Sequence, residues 1–273
     1  MLKLLTGIPF YKMKSFICHK AIFGPVKSRR LGNSLGINLL PNEYKICNFN
    51  CIYCECGWTH KNEIKNLSQK FRTLSEVYTA LEQKLKYIKT NNIPVDTITF
   101  SGCGEPTIHP KFSEIIDITI YLRNKFLPNT KISVLSNASM LHNNKIINAL
   151  LKIDQNIQKL DSALNKTFLE INQPLKKISP ENIINNLKKF NSQVIIQTLF
   201  LRGYNNSKFI DNTSKDNIIA WVNAINEIKP KQVMIYTIDR PTPARQLEKI
   251  FLEELKNIAK KIKTLNIDVI IAP

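Results

Sequence analysis

The sequence predicts an α/β fold: an open partial (β/α)6 barrel of parallel strands with outer helices. Two observations carry that expectation. Runs with strand character alternate along the chain with apolar stripes at helical spacing, and repeated β-then-α units give parallel strands joined by right-handed crossovers with helices outside. About six units can be counted, fewer than the eight that a closed barrel of about 250 residues contains. The 273 residues are 43% hydrophobic, enough for a substantial core. They are read as an N-terminal extension over 1–20 and a single domain over 21–273, with no linker or low-complexity stretch inside it.

Gly36 to Leu40 is expected as the first strand, feeding a cysteine-rich loop. Val77, Leu81, Leu85 and Ile88 share one helix face, and Asp96 to Ser101 is the next strand. Pro110 stands at a helix start ahead of Phe112, Ile116 and Ile120, and Lys131 to Leu135 returns as a strand. Ile157 to Leu160 is a short strand. Ser179-Pro180 then starts a helix carrying Ile183, Ile184 and Leu187, and Gln193 to Phe200 is a strong strand. Ser214 is expected to cap a helix through Ile228, and Gln232 to Ile238 is another strand. Phe251, Leu255, Ile258 and Ile262 stripe the last long helix, and Ile267 to Ile271 closes the chain as a strand.

The chemistry is concentrated in Cys47-Asn-Phe-Asn-Cys51-Ile-Tyr53-Cys54. Thiolates are soft ligands that select iron–sulfur clusters, zinc or copper(I), and a four-iron cubane normally takes four of them, one per iron. Three cysteines leave one iron open to a substrate or cosubstrate. Cys56 lies two residues beyond Cys54, so a zinc site or a closed cluster stays open as an alternative, although structural zinc sites usually draw ligands from two separated pairs. Cys18 and Cys103 have no neighbouring thiol in sequence and are expected as free, semi-buried cysteines. Six cysteines are too sparse for a disulfide-stapled scaffold.

Parallel α/β folds collect reactive groups at the carboxyl ends of strands. The second strand ends in Ser101-Gly102-Cys103-Gly104-Glu105-Pro106, where two glycines permit close backbone approach and Glu105 can receive an ammonium. Alone, this run also reads as a structural turn. The third strand ends at Ser136 and Asn137, suited to a carboxylate or hydroxyl and equally to a turn cap. The fourth offers Lys159 and Asp161, for which a surface ion pair is the plainer reading. Gln197 and Thr198 alternate on the fifth, so at most one faces the cavity. Tyr236, Asp239 and Arg240 follow the sixth as substrate candidates.

Lysine plus arginine number 39 against 21 acids, a net charge of +18. Such an excess favours polyanions through counterion release, while the abundance of Asn, Ile and Lys also matches translation from an AT-rich genome. No stretch approaches the roughly 20 apolar residues of a membrane span. The run Met1-Leu-Lys3-Leu-Leu is a poor signal peptide, and Arg29-Arg30 is not followed by the hydrophobic run of a twin-arginine signal. Cytoplasmic residence is expected.

The spacing Cys-x3-Cys-x2-Cys, with an aromatic residue before the last cysteine, resembles the cluster loop of the radical S-adenosylmethionine superfamily. The resemblance implies a [4Fe-4S] cluster on Cys47, Cys51 and Cys54. Its open iron would chelate S-adenosylmethionine, whose reductive cleavage yields a 5'-deoxyadenosyl radical that abstracts hydrogen. It further implies that the Tyr53 backbone lies near the adenine, and that Gly102, Gly104 and Glu105 stand where the family's Gly-Gly-Glu binds the methionyl amino group, with Cys103 replacing the second glycine. Lys159 and Asp161 resemble the strand-end pair that contacts the methionyl carboxylate and ribose.

Further motifs, Phe23 to Gly32, Thr99 to Thr107, Lys159-Leu-Asp161, Gln197 to Gly203 and Tyr236 to Pro241, resemble the group related to wyosine-forming tRNA enzymes. That resemblance implies a tRNA base as substrate, with Arg29, Arg30 and Arg202 toward phosphates, and an external ferredoxin or flavodoxin as electron donor. The three further upstream cysteines that hold that group's second cluster are not matched: only Cys18 precedes the loop. Two alternatives stay open. One is a radical enzyme acting on a protein or small metabolite, glycyl-radical activation included. The other is a metal-bearing RNA-binding module without catalysis.

Overall fold

A computed structural model describes residues 20–41, 44–59 and 71–273, so the expected extension lies almost wholly outside the described residues. The first element is a hairpin absent from the strand pattern above: β1 (Ile22–Ser28) pairs antiparallel with β2 (Gly32–Ile37). The first parallel strand is thus Gly32–Ile37 and not Gly36–Leu40. Gly36 explains the shift. It packs beneath the Phe23 ring, where a Cβ would collide with the ring carbons, so this glycine lies inside a strand under its hairpin partner instead of marking a strand start.

The chain continues through α1 (Leu74–Thr90), β3 (Thr97–Phe100), α2 (Phe112–Phe126), β4 (Lys131–Ser136), α3 (Asn144–Leu150), β5 (Gln155–Lys159), α4 (Asn165–Asn172), α5 (Pro180–Leu187), β6 (Val194–Asn205) and β7 (Lys208–Asp211). It ends with α6 (Lys215–Ile228), β8 (Gln232–Thr237), β9 (Gln246–Lys249), α7 (Leu252–Lys263) and β10 (Asp268–Ala272). The main sheet has the order β1-β2-β3-β4-β5-β6-β8-β10. Every neighbouring pair from β2 onward is parallel, giving the curled partial barrel with outer helices that the alternation predicts. β6 runs for 12 residues, and its far end carries β7 and β9 as antiparallel partners.

Helix positions follow their apolar stripes. Val77, Leu81, Leu85 and Ile88 of α1 are fully buried, each contributing about 1.5–3 kcal/mol by leaving water. Thr73 begins that helix with a capping box: its hydroxyl accepts from Glu76 N at 3.2 Å, and its own N–H donates to the Glu76 carboxylate at 2.5 Å. Phe251, expected on the buried stripe of the last helix, is instead the residue before α7 and is 82% exposed. Ser214 stands at the N-cap of α6, but its hydroxyl accepts from the Asn217 side chain at 2.9 Å instead of capping the backbone.

Inside the barrel Leu31 packs with Ile157, Ile195 and Met234, with Leu135 and Ile270 against them. Beside this apolar layer runs a ladder of inner-wall polar groups: Ser34 to Thr99 and Thr97 to Ser133 at 2.7 Å each, and Ser133 donating to Gln155 at 2.6 Å. Leu31 belongs to the β1–β2 turn, yet its neighbours lie on β5, β6 and β8. The hairpin turn therefore reaches across the curl toward the far edge of the sheet.

Candidate functional site

The cysteine loop follows β2 and is held by backbone contacts from three segments. Ile46 forms a parallel bridge with Gly104, in which Ile46 N donates to Cys103 O at 3.0 Å and Glu105 N donates to Ile46 O at 2.9 Å. Gly104 has φ +142°, and a Cβ there would overlap the Ile46 carbonyl, so the approach needs glycine. From the end of α4, Asn172 O and Ile171 O accept from Asn50 N and Ile52 N at 3.0 Å, and Asn48 O accepts from Leu175 N at 2.9 Å. After β8, Ala244 N donates to Ile52 O at 3.1 Å. The Gly-x-Gly-Glu turn thus forms part of the loop's seat.

Cys47 and Cys51 are buried, and Cys54 and Cys56 half-buried. N–H groups surround the first two sulfurs. Cys47 Sγ accepts from Phe49 N and Asn137 Nδ2, and Cys51 Sγ accepts from Asn172 Nδ2, each at 3.4 Å. The Cys56 thiol donates to Gly102 O at 3.3 Å and shares a hydrogen bond with the free Cys54 thiol, which holds Cys54 below its ordinary pKa and raises that of Cys56. Burial pushes Cys47 up to about 12, against the pull of the Lys45 ammonium. Lys45 is itself buried and donates to Gly57 O at 2.9 Å. Burial opposes its charge, but the thiols of Cys54, Cys47 and Cys51 outweigh that and raise its pKa. Cys103, expected as a free thiol, is disulfide-bonded, because a thiol isolated in sequence can meet another in space.

Glu105 is 2% exposed. One oxygen accepts from Thr107 N and Oγ1 at 3.1 and 2.5 Å, and the other accepts from Asn137 N at 2.6 Å. Burial raises its pKa against those donors. Ser136 Oγ accepts from Ala138 N at 3.1 Å, a turn-capping role. Asn137 does more: besides its contact to Cys47, its amide donates to Asn48 Oδ1 at 3.1 Å, joining the end of β4 to the cysteine loop.

Asp161 is buried, 2% exposed, and Lys159 half-buried, instead of forming a surface pair, with their charged atoms 3.9 Å apart. The Tyr53 hydroxyl donates to Asp161 Oδ2, which also accepts from Asn172 Nδ2 at 2.7 Å, while Oδ1 accepts from Leu199 N at 3.0 Å. Lys159 Nζ donates to the hydroxyls of Tyr53 and Tyr236 at 2.7 and 3.1 Å. Burial lowers its pKa, but Asp161 and Tyr236 outweigh it and the net direction is upward. Beyond Tyr236 the guanidinium of Arg30 stacks 4.1 Å from the ring centroid and donates to Gln197 Oε1 at 2.8 Å. Thr198 faces the opposite way, bonding Leu160 O and the Trp221 indole N–H.

The other expected residues have partners of their own. Arg29 pairs with Asp239 at 3.6 Å and donates to Pro273 O at 2.7 Å. Arg240 pairs with Glu55 of the cysteine loop at 2.7 Å. Arg202 pairs with Glu254 and Thr213, on the β6 extension, outside the Lys159 network. Sequence reasoning missed Lys45, the Tyr53 phenol and Asn172. Lys45 stands two residues before Cys47 and could have been noticed; nothing in the sequence around Asn172 marks it.

Among the described residues no three His, Cys, Asp or Glu side chains converge on a single-ion site. A cubane takes one thiolate per iron and spreads its ligands more widely than one tetrahedral ion with about 2.3 Å bonds. Two cavities, of about 530 and 540 Å³, lie away from the cysteines. One adjoins the starts of α2 and α3, and the other lies between Trp58 and the β6–β9 extension. Neither has the thiols or the buried charges of the strand ends. No helix among the described residues is long and apolar enough to cross a membrane.

Residues 44–212 match the family model for the Radical SAM superfamily. Among curated proteins, "GTPase Obg" of Brachyspira hyodysenteriae is 32% identical over 91% of this chain, which spans 34% of that protein. A "UPF0026 protein" of Helicobacter pylori is 32% identical over 81% of this chain and 67% of its own length. Among solved structures, Streptococcus suis SuiB aligns with a TM-score of 0.59 and 17% identity over 88% of this chain and 51% of SuiB. Archaeal TYW1 aligns with a TM-score of 0.52 and 17% identity over 89% of this chain and 74% of its own. At these identities the structures show a shared fold.

Proposed function

The chain belongs to the radical SAM superfamily, and from that premise we propose that Cys47, Cys51 and Cys54 hold a [4Fe-4S] cluster, that S-adenosylmethionine binds beside it, and that the substrate is a tRNA base. The observation that carries the site assignment is the convergence of three segments on one cysteine loop, with side-chain amides already aimed at two of the sulfurs. The donor set fits a cluster: soft thiols, N–H groups that stabilise thiolate character, and a buried ammonium at Lys45 that offsets negative charge. The Asn172 carboxamide oxygen is buried without a protein partner, leaving an acceptor for a bound group.

Once bound, the cluster and S-adenosylmethionine supply a 5'-deoxyadenosyl radical through one-electron reductive cleavage. The protein's part is to bind, orient and shield. Glu105, with Gly102 and Gly104, lies at the strand exit beside Cys47 and receives the methionyl ammonium. Lys159 holds the Tyr53 phenol of the loop against β5. Asp161, which holds both the Tyr53 phenol and Asn172, keeps the cysteine loop in register with β5, and Ser136 and Asn137 brace it from β4. Burial around these groups excludes water from the reacting centre. A separate ferredoxin or flavodoxin delivers the electron.

The tRNA reading is supported by the +18 charge and by the motif resemblance to the wyosine-related group. It is tested by measuring 5'-deoxyadenosine from anaerobically reconstituted protein with dithionite and S-adenosylmethionine, with and without total tRNA. Stimulation by tRNA is expected. Cleavage indifferent to tRNA would overturn the substrate and direct the search to proteins or metabolites, glycyl-radical enzymes included. RNA binding without cleavage, from a chain with a verified cluster, would favour the non-catalytic module.

A further inference from the structure

We propose that Arg30, over the face of the Tyr236 ring, and Lys159, at its hydroxyl, form a subsite for an oxyanion of the substrate, a carboxylate or a phosphate. The inference rests on the reading above in placing the cofactor at the cysteine loop, and it gives Lys159 to the substrate instead of to the methionyl carboxylate that the family resemblance implies. A chain of contacts orders the interior from that loop outward. Cys51 touches Asn172, Asn172 and Tyr53 touch Asp161, Tyr53 touches Lys159, Lys159 touches Tyr236, and Arg30 lies on Tyr236. Arg30 ends the chain, three contacts beyond Tyr53 of the loop.

Charge singles Arg30 out. Arg29, Arg202 and Arg240 each pair with a carboxylate. Among the described residues Arg30 pairs with none: one Nη1 hydrogen bond goes to the neutral Gln197 amide, and the flat face rests on a phenol ring. The carboxylate nearest to Lys159, Asp161, already accepts from Tyr53, Asn172 and Leu199. Two cations therefore share a largely dehydrated space with one committed carboxylate: Gln197 is 4% exposed, Tyr236 9% and the Lys159 side chain 15%. A partly buried cation such as Arg30, without a carboxylate of its own, is costly, and an incoming anion removes that cost.

The geometry is also held in advance. Arg30 sits in the β1–β2 turn, and the next residue, Leu31, is anchored in the apolar layer of the barrel. Gln197 fixes one guanidinium nitrogen while Tyr236 fixes the plane, leaving Nε and Nη2 without protein acceptors among the described residues. Donors on a rigid planar fork suit a carboxylate or phosphate, and Lys159 adds a point charge beside them.

The test is calorimetric titration of the anaerobically reconstituted protein, at low ionic strength, with inorganic phosphate and separately with acetate, before and after saturation with S-adenosylmethionine. Saturable one-site binding of at least one anion is expected, persisting in the cofactor-saturated protein. Arg30→Gln should weaken it at least tenfold, Arg30→Lys less, and Lys152→Gln on the outer surface not at all. Preference for phosphate or acetate identifies which oxyanion the substrate carries. Absence of saturable binding, affinity unchanged in folded Arg30→Gln, or displacement of the anion by S-adenosylmethionine would overturn the proposal, the last by giving the subsite to the cofactor's own carboxylate. If Arg30→Gln does not fold, Arg30→Lys decides the point. Reductive cleavage measured on the same wild-type sample reports separately on the cofactor reading.

Discussion

Gly104 shows what a single residue decides here. Its missing Cβ is the space through which the Ile46 carbonyl reaches Glu105 N, so Gly104→Ala should unseat the start of the cysteine loop. We expect a stability loss on the order of 2 kcal/mol, read by urea denaturation, together with a fall in iron bound after reconstitution; unchanged iron content would show that the bridge is dispensable. Asn172→Leu should act more locally, costing about 1–3 kcal/mol and lowering cluster yield, because Cys51 Sγ and Asp161 each lose an N–H donor. At this scale the residue types of the candidate site were legible and their contacts were not. Cys47, Cys51, Cys54, Glu105, Lys159 and Asp161 are recognisable from spacing and strand-end position. The Ile46–Gly104 bridge and the Asn172 amide join residues far apart in sequence, and no local pattern encodes them.

Among elements, legibility follows periodicity. The four buried residues of α1 are the four its stripe indicates, because an amphipathic helix must turn one face to the sheet. β7 and β9 escaped notice because Lys208–Asp211 and Gln246–Lys249 are mostly polar, and their strand state is imposed by the long β6 they pair with. The start of β2 was misjudged for a related reason, since its GNSLGI run derives its conformation from Phe23 and from β3. The capping box of α1 gives an element-level prediction. Hydrogen bonds from the Thr73 backbone and hydroxyl hold the Glu76 carboxyl below its ordinary pKa, so the contribution is present above the ordinary carboxylate value and is lost as pH falls through the depressed one. Thr73→Ala should cost about 1 kcal/mol at neutral pH. The difference from wild type, followed by denaturation across acid pH, should shrink as Glu76 becomes protonated; a constant difference would remove the carboxylate from the cap.

Over the whole molecule, the alternation of strands and helices predicted an open barrel, and the structure adds how its interior is occupied. The β1–β2 turn crosses the curl to place Leu31 in the core and Arg30 on Tyr236, a long-range result of sheet curvature that no sequence window contains. The +18 charge is likewise a property of the whole chain. If it serves tRNA, the log of affinity should fall linearly with log salt, with a slope of about 0.9 per duplex phosphate neutralised; a flat salt profile in filter binding would leave the charge without that role. The most direct test of the central claim compares 5'-deoxyadenosine formed by anaerobically reconstituted wild type and Cys51→Ala, with dithionite and S-adenosylmethionine, alongside iron and sulfide content. The account predicts a four-iron cluster and reductive cleavage in wild type, with both lost in the variant. A wild-type chain carrying an intact cluster but forming no 5'-deoxyadenosine, or a Cys51→Ala protein that cleaves normally, would contradict it.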